Sequence, residues 1–373
     1  ELLNTNNIFI PTTNEDGIVS WEEVTALTRH DPGEKLYQIK TLGGRDVIVT
    51  ENKSLLIWQE KDKKLKEMYS PDIKIGDCVP VTQDLCDPPI IKEYIELEKY
   101  LIKEKYIYGS DFNKAIDLMN NEMISKKKIP DNWWENNNKI NFTLPYTKKS
   151  SLQRTSVRSN TNNIKNNCVY PYSGIRNNTE ISDKFILNKQ NGIFIGLFLA
   201  EGNIHNSHIT ITNNNEFIRN FVKSWFDSYN INYNEKTKIN KLNGTTTTIT
   251  GNSCIMSEFI TKLVGSGAKN KYVPDEAFIA PKEFVIGLLN GYFSGDGYVS
   301  NNSIEASSAS KRLIEGINML CSRLGIFGKV FTTIMKKNNI NTKNILPAHR
   351  ISIRAQWGKL FAENVDLIDN DKN

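Results

Sequence analysis

The sequence predicts an α+β fold whose C-terminal half repeats one αββαββα unit twice. The segments GLFLAEG (196–202) and GYFSGDG (291–297), 95 residues apart, share an apolar run, small residues four positions apart, a carboxylate and a glycine. Strand-like and helix-like segments follow both of them in the same order. A length of 373 residues allows two or three domains, and no apolar run is long enough to span a bilayer.

The first element of each unit is a helix that carries a stripe of small side chains. Gly196 and Ala200 lie one turn apart in the first copy, and Gly291 and Gly295 do so in the second. Helix axes pack about 8–10 Å apart, and small residues at the crossing favour the short end of that range. We therefore predict that these two helices pack directly against each other.

Each of these helices ends in an acid and a glycine. Close packing would bring Glu201 and Asp296 side by side, and two carboxylates about 4 Å apart repel by about 4 kcal/mol at an effective dielectric near 20. The negative end of each helix dipole adds to that cost. A bound Mg²⁺, which takes oxygen ligands and phosphate, would relieve it. Gly202 and Gly297 are expected to end the helices in the left-handed conformation.

Both copies continue with the same series of elements. The first has the strand HITIT (208–212), a helix with Phe217, Phe221 and Trp225 on one face, the strand TTTTIT (245–250), and a helix that ends near Val264. The second has SIEAS (303–307), a helix with Leu313, Ile317, Leu320 and Leu324, HRISIR (349–354), and a helix that ends near Val365. A lysine, Lys271 or Lys372, follows seven residues after each of those valines. The repeat thus extends far beyond the motif, which disfavours chance spacing.

Both motifs fit one nine-residue pattern, as FIGLFLAEG (194–202) and LNGYFSGDG (289–297). On these residues the chain resembles the LAGLIDADG homing endonucleases, and within them the single-chain type that is carried inside inteins. The resemblance covers residues 186–373. It implies two pseudo-symmetric repeats, 186–280 and 281–373, that form a DNA-binding saddle in a monomer. Because the two halves differ in sequence, it also implies an asymmetric double-stranded DNA target.

The resemblance implies the chemistry as well. Carried over by position, the family's metal-binding catalytic acids fall on Glu201 and Asp296, and its basic catalytic residues fall on Lys271 and Lys372. The implied reaction is hydrolysis of one phosphodiester in each DNA strand with Mg²⁺, or with another divalent cation such as Mn²⁺. The family more often has Asp where this chain has Glu201, which lengthens that ligand by one methylene group. A lysine that acts as a base would need its pKa lowered from about 10.4.

Two further sets of residues are expected to contact DNA. Side chains alternate between the faces of a strand, and the residues predicted to face the major groove are Thr246, Thr248, Ser352 and Arg354.

Within a predicted insertion (91–185), residues 136–179 contain seven basic side chains and no acidic one, which is typical of a phosphate-binding surface. Its predicted DNA-binding residues are Lys148, Lys149, Arg154, Arg158, Lys165 and Arg176. A solvated loop is the alternative for this Asn-rich stretch. Upstream, the spacing of Tyr94, Leu97 and Leu101 predicts a helix.

Residues 1–90 contain short β-like segments, such as KLYQIKT (35–41) and DVIVTE (46–51), and resemble part of an intein (Hint-like) splicing domain. The splicing motif of that family is Thr-x-x-His, whereas Thr50 is followed by Lys53 here, and an ammonium group cannot serve as both acid and base as imidazole does. Position 1 is Glu, not a Cys or Ser nucleophile, and no His-Asn pair ends the chain. A fragment of a longer intein and a degenerate intein both fit, and splicing is not expected of the chain as given.

A net charge of +5 and 39% hydrophobic residues fit a soluble intracellular enzyme without a membrane partner. Five scattered cysteines without a CxxC pair support neither a disulfide framework nor a zinc site, and they predict a reducing compartment, either cytoplasm or nucleus. Three functions remain: a site-specific double-strand DNA endonuclease, a nucleic-acid-binding maturase or regulator that has lost cleavage, and a splicing fragment. The two intact carboxylates favour the endonuclease.

Overall fold

The computed structural model describes residues 8–28, 33–102, 105–111, 113–114, 165–171, 180–240, 244–300, 303–334, 347–369 and 372. It has the mixed α+β class that the sequence predicts. None of the helices in these ranges is both long enough and apolar enough to cross a membrane. The elements before residue 189 include two 3₁₀ helices of one turn each, Ser70–Asp72 and Leu97–Lys99. The strands of this region are short: β1 (Phe9–Thr13), β2 (Val19–Glu23), β3 (Leu36–Lys40), β4 (Asp46–Thr50), β5 (Ser54–Gln59), β6 (Lys64–Tyr69), β7 (Tyr94–Glu96), β8 (Tyr106–Tyr108), β9 (Cys168–Pro171), β10 (Ile181–Ser182) and β11 (Lys184–Ile186).

These strands pair mostly with near neighbours. β1–β2, β3–β4 and β5–β6 are antiparallel hairpins, whereas β7 pairs with β11 and β9 lies between β8 and β10. The helix predicted from Tyr94, Leu97 and Leu101 is wrong at its start, because residues 94–96 form β7, and only Leu97–Lys99 form a single 3₁₀ turn. Ile95 of that strand pairs with Phe185 of β11, and both side chains are buried, so tertiary pairing overrides the helical spacing.

The chain then runs twice through the order αββαββα. The first unit contains α1 (Lys189–Glu201), β12 (Gly202–His205), β13 (His208–Thr212), α2 (Glu216–Ser228), β14 (Tyr233–Asn240), β15 (Gly244–Asn252) and α3 (Cys254–Val264). The second unit contains α4 (Lys282–Asp296), β16 (Gly297–Ser300), β17 (Ser303–Ser308), α5 (Lys311–Ser322), β18 (Gly328–Ile334), β19 (Pro347–Arg354) and α6 (Gln356–Asn364). Each unit has one four-stranded antiparallel sheet, with the strand orders β12-β13-β15-β14 and β16-β17-β19-β18.

Polar residues set the starts of four of these helices. Asn188, Asn215, Ser253 and Ser310 precede α1, α2, α3 and α5, and each side chain accepts a hydrogen bond from a backbone N–H of the first turn. Such caps satisfy N–H groups that have no partner within the helix. The sequence therefore fixes where these helices begin.

Each sheet buries one face against its helices and presents the other, which we call its outer face. The buried faces carry isoleucines at alternate positions: Ile209, Ile211 and Ile249 in the first sheet and Ile304, Ile351 and Ile353 in the second. Thr246 and Thr248 lie on the outer face of the first sheet, and Ser352 and Arg354 lie on that of the second, in keeping with strand alternation.

The apolar face predicted for α2 is confirmed at Trp225, which is buried, and at Phe221, which is partly buried against the core, but it is wrong at Phe217. Phe217 is 55% exposed, and the residues of α2 that are buried are Ile218, Val222, Trp225 and Phe226. That set follows the spacing i, i+4, i+7 and i+8 of a helix packed on a sheet. In α5 and the turn that follows it, the predicted residues Leu313, Ile317, Leu320 and Leu324 are all buried.

The N-terminal strands are attached to the second unit. The loop between β3 and β4 lies against the edge strand β18, where the Val330 N–H donates to the Gly43 carbonyl at 3.0 Å. The buried guanidinium group of Arg323 donates to Asp87 at 2.8 Å. The loop thus covers part of a sheet edge that would otherwise present unpaired backbone groups.

Candidate metal centre at the paired helix ends

The helices α1 and α4 contact each other backbone to backbone at their glycines. A Cβ atom at Gly196 would lie 2.7 Å from the Tyr292 nitrogen and 3.0 Å from the Gly291 Cα, and one at Gly291 would lie 2.8 Å from the Leu197 nitrogen. Real Cβ atoms almost never approach other atoms to less than 3.0 Å. The close approach of the two helices therefore depends on glycine at both positions.

The stripe of small residues extends one turn further than the motif. Cβ atoms at Gly192 and Gly287 would also clash with the backbone of the partner helix. Sequence analysis missed both positions, although each lies four residues before a motif glycine and the same spacing rule would have found them. At the other end of the contact, a Cβ atom at Gly295 would lie 2.5 Å from the Cβ of Ala200.

The helix contact ends at the two acids. A Cβ atom at Gly295, one residue before Asp296, would lie 3.2 Å from the Cγ of Glu201. Burial, and then the charge of Glu201, raises the pKa of Asp296 to about 7. Burial also raises the pKa of Glu201, against the opposing charges of Lys271 and Lys372. The two carboxyl groups are thus close enough for the charge of Glu201 to make ionisation of Asp296 less favourable.

Asp296 is crowded by protein atoms and yet has an exposed surface, whereas Glu201 is half-buried. Crowding explains the direction in which the pKa of Asp296 is shifted. Solvent screening on the exposed side reduces the free energy that accompanies the shift. The same exposure leaves the carboxylate accessible to a ligand.

Lys271 closes the C-terminal end of α1. Its side chain is buried, and its Nζ donates to three carbonyl groups, those of Phe198 (2.7 Å), Leu199 (3.1 Å) and Gly202 (2.7 Å). Phe198 and Leu199 lie in the last turn of α1, where carbonyl groups lack partners within the helix, and Gly202 begins β12. The three ammonium protons of Lys271 thus join the end of α1 to the strand that follows it. Burial lowers the pKa of Lys271 to about 8, while the charges of Asp296 and Glu201 raise it.

Lys372 makes the corresponding contacts at the end of α4. Its Nζ donates to the carbonyl groups of Phe293 (3.4 Å), Ser294 (2.7 Å) and Gly295 (3.2 Å). The structure therefore brings Glu201, Asp296, Lys271 and Lys372 together, with one lysine at the end of each helix. A cation at a helix C-terminus interacts favourably with the helix dipole.

Two polar residues that sequence analysis missed hold these groups. Asp369 lies 3.5 Å from the Lys372 Nζ and accepts a hydrogen bond from Asn215 of the first unit at 2.7 Å. Asn213 donates to Glu201 at 3.5 Å. Neither residue belongs to a motif. The Asn213–Glu201 contact forms within the first unit, whereas the Asp369–Asn215 contact exists only after the two units have packed together.

The conformation predicted for the glycines that follow the acids is wrong. Gly202 has φ −78° and ψ 149°, and Gly297 has φ −75° and ψ 144°, so each is the extended first residue of a strand. A Cβ atom would clash with Phe198 at the first position and with Phe293 at the second. Glycine is required there for space, not for a left-handed backbone.

The other predicted site residues lie elsewhere. Lys148, Lys149, Arg154, Arg158 and Arg176 fall outside the described residues. Lys165 is exposed and pairs with Glu180 at 3.2 Å. Thr50 and Lys53 form the turn between β4 and β5, in which the Lys53 N–H donates to the Thr50 carbonyl at 3.1 Å.

The two acids suit a hard divalent cation. In the ranges that the structure describes, no group of three or more His, Cys, Asp or Glu side chains is arranged to hold a metal ion. Mg²⁺ commonly binds through one or two carboxylates, keeps several waters and takes phosphate oxygens from a substrate. Glu201 and Asp296, two crowded carboxylates with raised pKa values, fit that donor set.

Several curated proteins with different names are similar to this chain. It is 28% identical over 366 residues to the DNA-directed RNA polymerase subunit Rpo1C of Methanocaldococcus jannaschii, which covers 97% of this chain and 33% of the relative. It is 28% identical over 272 residues to a probable translation initiation factor IF-2 of the same organism, which covers 67% of this chain and 22% of the relative. The chain thus spans a third or less of the length of these relatives.

Solved structures and a family profile give two further comparisons. I-DmoI in complex with DNA and Mn is 11% identical with a TM-score of 0.35, over 48% of this chain and 97% of that one. Full-length DUF199/WhiA from Thermatoga maritima is 12% identical with a TM-score of 0.35, over 48% of this chain and 56% of that one. Similarity at this level does not identify a shared fold. The profile of the LAGLIDADG-like domain family matches residues 283–365, so the second unit of the chain contains a LAGLIDADG-like domain.

Proposed function

We propose that this chain is a site-specific DNA endonuclease of the LAGLIDADG type, which breaks both strands with the help of divalent cations. The observation that carries the proposal is the pairing of Glu201 with Asp296 at the ends of two glycine-packed helices, each closed by a lysine. Two anions at the negative ends of two helix dipoles are unfavourable without a counterion. A structural role alone does not account for them.

The two units, 186–280 and 281–373, are in this proposal the pseudo-symmetric halves of a saddle that straddles duplex DNA. Their sheets have the same strand order, and equivalent lysines close equivalent helices. Their outer faces carry hydroxyl, amide and basic side chains, which can hydrogen-bond to base edges in the major groove. Because the two outer faces differ in sequence, a monomer would recognise an asymmetric site. The basic insertion (91–185) would add phosphate contacts.

At the reaction centre, Glu201 and Asp296 would hold Mg²⁺ or Mn²⁺. Such a cation, when bound, supplies an activated water molecule and neutralises charge on the scissile phosphate. Lys271 already donates all three ammonium protons to backbone carbonyl groups, so its role is that of a fixed positive charge beside the acids and not that of a base. Lys372 would do the same in the other half of the site.

We propose an intein origin for the chain on separate grounds. It is similar along nearly its whole length to one third of an RNA polymerase subunit, and partly similar to an initiation factor and a replication factor C small subunit. A segment shared by proteins with unrelated tasks is what an inserted element predicts. Residues 1–90 would be its remaining splicing segment, and Lys53 in place of the histidine argues against splicing activity.

The proposal is tested with the purified full chain, Mg²⁺, and a DNA duplex that joins the gene sequences on either side of its coding region. We expect both strands to be cut at one position in that duplex. Asp296→Asn should abolish cleavage and leave binding intact. Asp227→Asn, which removes an exposed acid of α2, is the matched control and should cleave normally.

Two results would contradict the proposal. Binding without cleavage by the wild-type protein would favour the maturase-like or regulator-like alternative. Cleavage that persists in Asp296→Asn would show that the paired acids are not the reaction centre.

A further inference from the structure

The outer faces of the two sheets differ in sequence, and in one row of side chains they differ by the presence of an acid. Directly opposed residues of antiparallel strands share a face, and the register therefore defines equivalent rows. In the first sheet this row is Asn203, Thr210, Thr250 and Asn234. In the second sheet it is Tyr298, Glu305, Ser352 and Lys329. The first row is neutral, whereas the second contains one acid and one base.

Glu305 is held in place by three hydrogen bonds. It accepts from Ser352 at 3.0 Å, from Ser303 at 3.3 Å and from the Arg354 guanidinium group at 3.3 Å. Burial opposes ionisation, but the hydrogen bonds from Ser352, Arg354 and Ser303 lower the pKa of Glu305. The side chain is therefore an anion at neutral pH and acts only as an acceptor. Arg354 also donates from Nε to the Ser352 hydroxyl at 3.0 Å, which fixes the guanidinium group beside the acid.

All three of these hydrogen bonds go to Oε1 of Glu305. An ionised carboxylate has acceptor sites on both oxygens, so Oε2 is available to a donor from a ligand. Arg354 is likewise available, because 67% of its side chain is exposed. Beside Glu305, Ser352 and Arg354 help to line an open cavity of about 320 Å³, whose other lining residues are Lys329, Phe327, Phe331 and Trp357.

A structural role does not explain Glu305 at this place. The Arg354 side chain is 67% exposed and that of Glu305 is 24% exposed, and an ion pair screened by solvent contributes a median of about 0–1 kcal/mol to stability. On a surface that faces DNA, a carboxylate is repelled by the phosphates unless it makes a specific contact. The donor that suits it is the amino group of cytosine, and the acceptors that suit a neighbouring arginine are O6 and N7 of guanine.

We propose that Glu305 and Arg354 together read one G·C base pair in the major groove, with Glu305 accepting from cytosine and Arg354 donating to guanine. The inference rests on the proposed DNA-binding function of the outer faces. The equivalent row of the first sheet has only amide and hydroxyl groups at Asn203, Thr210 and Thr250, so it does not require a G·C base pair. The two half-sites of the target therefore differ in the base pair that this row requires.

The test uses the full chain and a library of duplexes with a randomised central segment, selected for binding in Ca²⁺ and then sequenced. Wild-type protein should enrich one G·C pair within the recovered site. Glu305→Gln should lower the preference for that pair by about tenfold and move it toward A·T, because glutamine pairs best with adenine. It should leave binding to unselected DNA equal or tighter, because it removes a negative charge.

Two further variants complete the experiment. Arg354→Gln should relax the guanine requirement at the same base pair while keeping the Ser352 bond to Glu305, so it tests the inference independently of how Glu305→Gln folds. Glu235→Gln is the matched control: Glu235 belongs to the first sheet but pairs with Arg219 and Lys223 of α2, and its loss should leave the enriched sequence unchanged.

The outcomes separate this inference from the proposed function. Identical enriched sequences from wild-type protein, Glu305→Gln and Arg354→Gln would overturn the inference and leave the endonuclease proposal standing. A library from which wild-type protein enriches no sequence would overturn both.

Discussion

Replacing Gly196 with alanine should separate α1 from α4. The added Cβ atom would lie 2.7 Å from the Tyr292 nitrogen, about 0.7 Å short of the 3.4 Å at which ordinary contact begins, and it would lie closer still to the Leu288 carbonyl oxygen. Both obstacles are backbone atoms of a buried helix, so no side-chain rotation relieves them. Overpacking of this kind costs about 1–3 kcal/mol.

The intrinsic preference of alanine for helices opposes this cost by about 1 kcal/mol. With the clash at the upper end of its range, the net loss of local stability is about 2 kcal/mol. Hydrogen exchange measured by mass spectrometry on peptides from α1 and α4 reports that local free energy. A loss of about 2 kcal/mol corresponds to exchange about 30-fold faster.

Gly358→Ala is the matched control. Gly358 lies in α6, where a Cβ atom would meet only the Ile353 carbonyl oxygen at 3.9 Å. The same substitution therefore gains helix preference without a clash and should leave exchange in α1 and α4 unchanged. If Gly196→Ala protects those helices as well as the wild-type sequence does, the close helix contact described for this protein is wrong.

Three other substitutions test separate contacts. Without metal, Asp296→Asn should raise the stability of the fold by about 1 kcal/mol after solvent screening. Because the pKa of Asp296 is raised from 3.8 to about 7, the wild-type protein should lose stability as the pH rises through that interval. Thermal unfolding in EDTA should therefore show a shallower pH dependence for the variant. An equal slope for both proteins would contradict the crowding of the acids. Lys271→Met should destabilise the protein by about 2–4 kcal/mol in urea titrations, since buried carbonyl groups lose their donor. Lys372→Met should cost less stability, because the Lys372 side chain is 22% exposed and water can replace it as a donor. Equal losses of stability in the two variants would contradict this difference. Gly44→Ala should release the β3–β4 loop from β18, since Gly44 has φ +85° and a Cβ atom there would clash with the Val330 carbonyl. Limited proteolysis should then cut residues 33–102 faster than in the control Gly17→Ala, because Gly17 has φ +83° and a Cβ atom there would meet nothing within 4 Å. Similar cleavage of both variants would contradict the contact between the loop and β18.

Sequence analysis predicts the elements that carry a strong local pattern. Small residues four apart predict the contact stripes of α1 and α4, and alternating isoleucines predict the buried faces of the sheets. It fails where a distant strand decides the outcome, as at Tyr94, whose helical spacing is overridden by pairing with β11. It also fails at Gly202, where the requirement for glycine comes from the ring of Phe198 and not from the backbone angle.

The candidate site, too, is predicted from the sequence only where a local pattern exists. The motif spacing locates Glu201 and Asp296, and the repeat locates Lys271 and Lys372. No local pattern shows that both lysines donate to the last carbonyls of the paired helices, because those distances depend on how each unit folds back. Asp369 lies beside Lys372 and accepts a hydrogen bond from Asn215. It cannot be predicted from the sequence, because that hydrogen bond joins the two units.

The central claim is that Glu201 and Asp296 share a divalent cation at the end of the α1–α4 contact. A crystal of the full chain grown with Mn²⁺, measured at the manganese absorption edge, tests it most directly. We predict anomalous peaks within coordination distance of both carboxylates in the wild-type protein and a loss of occupancy in Asp296→Asn. Manganese bound only elsewhere on the chain, or carboxylate groups too far apart to share an ion, would contradict the claim.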